Sequence, residues 1–179
     1  MDSTKKPLSD AALRSFAKAH FDAWNAHDVE ACIALMTDDV VYEDPGFESA
    51  AHGKAEVAAR IRAIFTAFPD IHFPEEMAHV HTNVDDAECV LTWTFYATMT
   101  GDLVAPEGKM PATGKKIQVS GASFNRFRGD LLSHFTMYYD SLDMMVQLGF
   151  LPKTNGLGFK AVVLADLLAG KAKKVLHMA

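Results

Sequence analysis

GKAEVAARIRAIFTAFPD, residues 53–70, and CVLTWTFYATM, residues 89–99, obey different periods. In the first, Val57, Ile61, Ile64, Phe65 and Phe68 recur at helical spacing, and Pro69 ends the run. In the second, Val90, Thr92, Thr94 and Tyr96 alternate with Leu91, Trp93 and Phe95. That run is rich in β-branched and aromatic residues, which suit a pleated, half-buried surface. The change of period after Pro69 separates a helical first part of the chain from a strand-rich second part.

Upstream, Ser9 and Asp10 are N-cap residues for a helix whose apolar stripe is Leu13, Phe16, Ala17, His20, Phe21 and Trp24. Asp28 opens a shorter helix with Ile33, Leu35 and Met36, and VVYED reads as a strand closed by Pro45 and Gly46. Downstream, EMAHVHTNV is a strand that places His79 and His81 on one exposed edge. TGDLVAPEGKMPATGKK reads as a loop by composition, and IQVSGASFNRF as a strand in which Gly121 suggests a bulge or sharp bend. Arg128–Asp130 turn the chain into LLSHFTMYYD, the last long strand, and a short helix runs from about Ser141 to Leu148 before Gly149.

Helices segregated from a meander of strands predict an α+β fold: a strongly curved antiparallel sheet packed on three N-terminal helices, with an apolar pocket between the layers. Residues 1–9 read as a flexible N-terminus, 10–150 as one domain, and 151–179 as a C-terminal helical extension, either a lid or a dimer contact. Its apolar residues, Val162 to Leu168, need cover, and a homodimer is the expected partner arrangement.

Composition narrows the function classes. The chain has 179 residues, is 49% hydrophobic and carries a formal charge of −6. Lys171, Lys173 and Lys174 are the nearest thing to a basic run, which argues against nucleic acid as a partner. No stretch has signal-peptide character or the length to span a bilayer, so a cytoplasmic protein with no membrane partner is expected. Cys32 and Cys89 stand apart in apolar surroundings as inert thiols.

The chemistry turns on strand parity. His134, Thr136, Tyr138 and Asp140 share one face of the last strand. Turned to the cavity, they would line it with an imidazole, a phenol and an acid, a set suited to proton abstraction next to a carbonyl without a cofactor. Asp140 would then be the general acid/base, its pKa raised by apolar walls, and Tyr138 or His134 would donate to the developing enolate oxygen. The competing role for Asp140 is an N-cap for the helix that follows, which would lower its pKa. Asp44 is either a second pocket acid or a turn opener before Pro45. His20 reads as a hydrogen-bonded core histidine, and Arg126 as an ion-pair member or a ligand anchor. Tyr42, Glu43, Asp44, His52 and His134 fit no standard metal motif, so no metal is expected.

Four stretches carry a family resemblance: FDAWNAHDVEACIALMTDDVVYEDP (21–45), GKAEVAARIRAIFTAFPDIHF (53–73), MPATGKKIQVSG (110–121) and YYDSLDMMVQLG (138–149). In order and spacing they resemble the SnoaL-like polyketide cyclases of the nuclear-transport-factor-like superfamily. The resemblance implies a cone-like α+β fold over residues 10–150 with a deep apolar pocket. It places Asp140 at the family's general acid/base, in an intramolecular aldol closure. The family's cyclases also carry a histidine on the preceding strand; here that position falls near Ser123, and His134 is the candidate substitute.

The expected ligand is a hydrophobic carbonyl compound. Asp140, His134 and Tyr138 are the candidate catalytic residues, and Trp24, Tyr42, Asp44, Phe65, Phe68, Trp93, Ser123 and Arg126 the candidate ligand contacts. A cyclase, an isomerase or a lyase fits that site. The same fold also serves as a non-catalytic binding or dimerisation module, and as a scaffold for protein partners.

Overall fold

The computed structural model describes residues 8–106, 108–153 and 156. The expected C-terminal helical extension therefore lies outside the described residues, as do residues 1–7.

Among the described residues four α-helices and eight strands follow one another: α1 (Asp10–Asn25), α2 (Val29–Ala34), β1 (Met36–Glu43), β2 (Ala51–His52), α3 (Gly53–Ala67), β3 (His79–Asn83), β4 (Glu88–Thr98), β5 (Leu103–Ala105), β6 (Gly108–Met110), β7 (Lys116–Arg128), β8 (Leu131–Tyr139) and α4 (Ser141–Gln147). Leu8 is buried, and Ser9 caps α1 by accepting from the N–H of Ala12 at 3.1 Å. Asp28 caps α2 in the same way through Ala31. These side chains satisfy N–H groups that have no partner inside their helices.

Six strands form one curved sheet in the order β2-β1-β8-β7-β4-β3. The meander β3-β4-β7-β8 is antiparallel throughout, whereas β1 joins β8 in parallel, with Tyr42 opposite Phe135 and Glu43 opposite Thr136. The stretch 100–116, read as a loop, contains the β5–β6 hairpin, which packs on α3. Its strands are three residues each, too short for an alternation to show in the sequence.

The core lies between the inner face of the sheet and the apolar stripes of α1 and α3. Phe16 of α1 meets Phe127 of β7 edge to face at 4.7 Å, and Trp24 packs against Phe73 at 5.9 Å. Asn25 fixes the end of α1 to the chain entering β3, donating to Phe73 O at 2.9 Å and accepting from Phe73 N at 2.8 Å.

Gly121 does not form a bulge. It pairs in regular register with Trp93 and Tyr139, and the irregularity in β7–β8 falls at Arg126/Phe127. Glycine is required at 121 by crowding, since a Cβ there would come 2.5 Å from Trp93 Cη2 and 2.6 Å from Tyr138 O. The indole of Trp93 occupies the space that a side chain at 121 would fill.

Candidate active site

Register decides which side of β8 faces the cavity. Leu132 is buried opposite Phe127, and the irregularity then sets His134, Thr136 and Tyr138 outward and Phe135, Met137 and Tyr139 inward. The proposed catalytic face is thus the outer one. Tyr138 is 61% exposed and touches Phe124. His134 Nε2 lies 3.0 Å from Glu43 Oε2, an oxygen that also accepts from Thr136 Oγ1 at 2.6 Å. These partners hold the Glu43 carboxyl below its usual pKa, Thr136 first and His134 second. Arg126, on the same outer side, pairs with Glu88 at 3.1 Å.

Asp140 is exposed and takes the competing role. Its Oδ1 accepts from the N–H of Asp143 at 2.8 Å as the N-cap of α4. Neither Asp140 nor His134 nor Tyr138 lines the inner cavity. The physical reason is hydrophobic: the more apolar set of β8, Phe135 with Met137 and Tyr139, takes the core side.

The inner cavity has a volume of about 80 Å³ and lies between α1, α3 and the inner sheet face. Of the expected ligand contacts, Trp24, Asp44, Phe68 and Trp93 line it. Phe65 stands behind, edge-on to Trp24 at 5.2 Å. Tyr42 is fully buried and stacked on Phe135 at 4.4 Å, away from the cavity wall. Ser123 is buried and lies near Asn125 Nδ2, not at the cavity. Met110, Met137 and Met144 supply flexible thioethers at the wall, so the cavity can adapt to a larger occupant.

The polar groups on this wall are few. Asp44 follows Val40 and Tyr42 in the inward parity of β1 and is buried. Its Oδ1 accepts from Tyr139 Oη at 3.0 Å and from Gly46 N at 2.8 Å. Burial pushes the Asp44 carboxyl above its usual pKa, against the opposing pull of the Gly46 N–H, the Tyr139 hydroxyl and the charge of Arg60. Burial, followed by the charge of Asp44, pushes the Tyr139 phenol up as well, so it remains a neutral donor. Gly46 makes the pair possible, because a Cβ at 46 would lie 2.7 Å from the Tyr139 hydroxyl.

His20 projects from α1 among the rings of Phe16, Phe21, Trp24 and Phe135. Contrary to expectation it makes no hydrogen bond among the described residues. Burial alone lowers its pKa to about 4, so the imidazole is neutral. Trp24 Nε1 is likewise buried without a partner among the described residues. The cavity thus presents a carboxyl–phenol pair and a neutral imidazole within apolar walls.

Sequence reasoning passed over Tyr139 and gave His20 only a core role. The signal for both was present: Tyr139 shares its parity with Phe135, and His20 lies on the stripe of Leu13 and Trp24. Cys32 and Cys89 are buried as expected, and burial raises both thiols to about 12. No group of three or more metal-ligating side chains occurs among the described residues. No helix among them is long and apolar enough to cross a membrane.

The model of the SnoaL-like domain family matches residues 17–135, from within α1 to within β8. The chain belongs to the SnoaL-like family. No curated protein matches it. Among solved structures, this SnoaL-like chain is similar to a Xanthomonas campestris pv. campestris protein provisionally named a polyketide cyclase, at 18% identity and TM-score 0.66, over 77% of this chain and 97% of the other. A Pseudomonas putida KT2440 protein with the same provisional name is 23% identical, with TM-score 0.65, over 76% and 96%. AclR of Streptomyces galilaeus, provisionally a hydroxylase, is 20% identical, with TM-score 0.66, over 96% and 99%. At these identities the likeness establishes the fold.

Proposed function

We propose that this SnoaL-like protein performs cofactor-independent acid/base chemistry on a hydrophobic carbonyl compound, with Asp44 and Tyr139 as the proton-handling pair. The observation that carries the reading is the buried Asp44 carboxyl, lifted in pKa and bonded to Tyr139 on the wall of an apolar cavity. A carboxylate raised toward neutral pH is a better general base. It would take a proton from the carbon next to the carbonyl. As Asp44 becomes protonated, the hydroxyl of Tyr139 is released to donate to the enolate oxygen. Aldol closure and double-bond migration both begin with that step, and the provisional cyclase names of structural relatives agree with it.

The step can be tested without knowing the natural substrate. Cyclohexanone and 2-tetralone are incubated with the protein in D2O, and loss of the α-proton signals is followed by proton NMR. Acceleration is expected for the wild type, falling on the order of a hundred- to ten-thousand-fold in Asp44→Asn. Exchange at the uncatalysed rate with wild-type protein, or full activity in Asp44→Asn, would overturn the reading and leave a binding module.

A further inference from the structure

A second concavity lies on the other side of Phe47. Its volume is about 620 Å³, and small side chains of α3 and the β2 region, Ala51, Ala59 and Ala63, form its walls together with Val104 of β5. Phe47 lines both this chamber and the inner cavity, so its ring is the partition between them.

The chamber contains a buried cation. Arg60 is 8% exposed. Its Nη1 donates to Tyr42 O at 3.4 Å and its Nη2 to Ser49 O at 2.8 Å, while its Cζ sits 4.2 Å from the centre of the Phe47 ring. These bonds use two of the five N–H groups that a guanidinium carries. No salt bridge among the described residues includes Arg60. Asp44 acts on it only through space, with no hydrogen bond between the two among the described residues. Glu56 also stands on the chamber wall, exposed, with Oε2 taken by the N–H of His52. A buried charge without a hydrogen-bonded counter-charge is costly, and a carboxylate is an anion whose geometry matches the guanidinium fork.

We propose that this chamber is a binding site for the carboxylate of an amphiphilic acid, with Arg60 holding the anion and the alanine walls accepting its apolar body. A head group seated on Arg60 lies against the same ring that borders the inner cavity.

The test uses the full chain and two probes of equal chain length, decanoate and decanol, titrated calorimetrically. Decanoate is expected to bind at least tenfold more tightly than decanol. Arg60→Gln is expected to reduce decanoate to the affinity of decanol. Ala59→Trp places a large ring in the chamber from an exposed helix position, and should abolish binding of decanoate without unfolding the chain. Should Arg60→Gln not fold, Ala59→Trp decides alone. Equal affinity for the two probes, no binding of decanoate, or wild-type affinity in Ala59→Trp would overturn the proposal.

Discussion

Strand β8 offers two faces built from alternate residues, and they treat polar groups in opposite ways. On the outer face the half-buried His134 and Thr136 bond to the exposed Glu43, which draws the Glu43 carboxyl down. On the inner face Tyr139 meets Asp44 among aromatic rings, and burial pushes that carboxyl up. The chemical inventory is similar, an acid with hydroxyl and imidazole groups nearby. Solvent access separates them: hydrogen bonds at the exposed Glu43 favour its carboxylate, whereas burial at Asp44 works against the charged form.

The sharpest way to break this contrast is to remove one hydroxyl from each face. Tyr139→Phe is expected to slow the exchange of ketone α-protons about a hundred- to a thousandfold, the scale for losing one oxyanion donor. Tyr138→Phe, its neighbour on the outer face, is expected to leave the rate unchanged. Equal effects of the two substitutions would show that the faces are not functionally distinct.

Next in size is the pH response of stability. The pKa of His20 falls from 6.5 unfolded to about 4 folded. The folded state therefore binds fewer protons than the unfolded one over that interval. The stability from a neutral His20 is fully present above the unfolded value and is lost as pH falls through the folded one, an acid limb of roughly 3 kcal/mol. Asp44 has the opposite sign, since its folded pKa is raised: its contribution is fully present below its unfolded value and fades as pH rises through the folded one. Urea midpoints between pH 7 and pH 4 should show the histidine limb, and His20→Leu should flatten it.

Gly121→Ala is expected to cost about 1–3 kcal/mol, because the new methyl collides with Trp93 and with the backbone of Tyr138 on the inner side. Thermal unfolding measures it. Asp140→Ala should cost about 1 kcal/mol as the loss of a helix cap, with no change in exchange rate. A large loss of activity in Asp140→Ala would return the catalytic role to the end of β8.

Much of the fold is legible in the sequence. The period change after Pro69, the stripe of α1 and the caps Ser9 and Asp28 all appear as read. The hairpin β5–β6 is not legible, since its strands lie within a stretch of Gly, Pro and Lys. The site is less legible than the fold. Parity correctly grouped His134 with Thr136 and Tyr138, but parity alone does not say which group faces inward. Polar side chains suggested chemistry, whereas burial of the more apolar Phe135 and Met137 decided the orientation. Asp44 was visible as an acid of the β1 parity. Its partner Tyr139 lies 95 residues away, joined to it by a strand pairing that no local pattern announces.

That pairing also dictates when the site comes into being. Because β1 and β8 run the same way, both strands deliver their last residues to the same end of the sheet, and Asp44 and Tyr139 meet there. Parallel neighbours need a long crossover, here filled by α3 and the whole meander. As a nascent chain emerges, Asp44 is made early and must wait for nearly every other strand before its partner arrives. The Asp44–Tyr139 pair is thus completed late along the chain, and a chain cut short before β8 would keep the acid and lack its phenol partner.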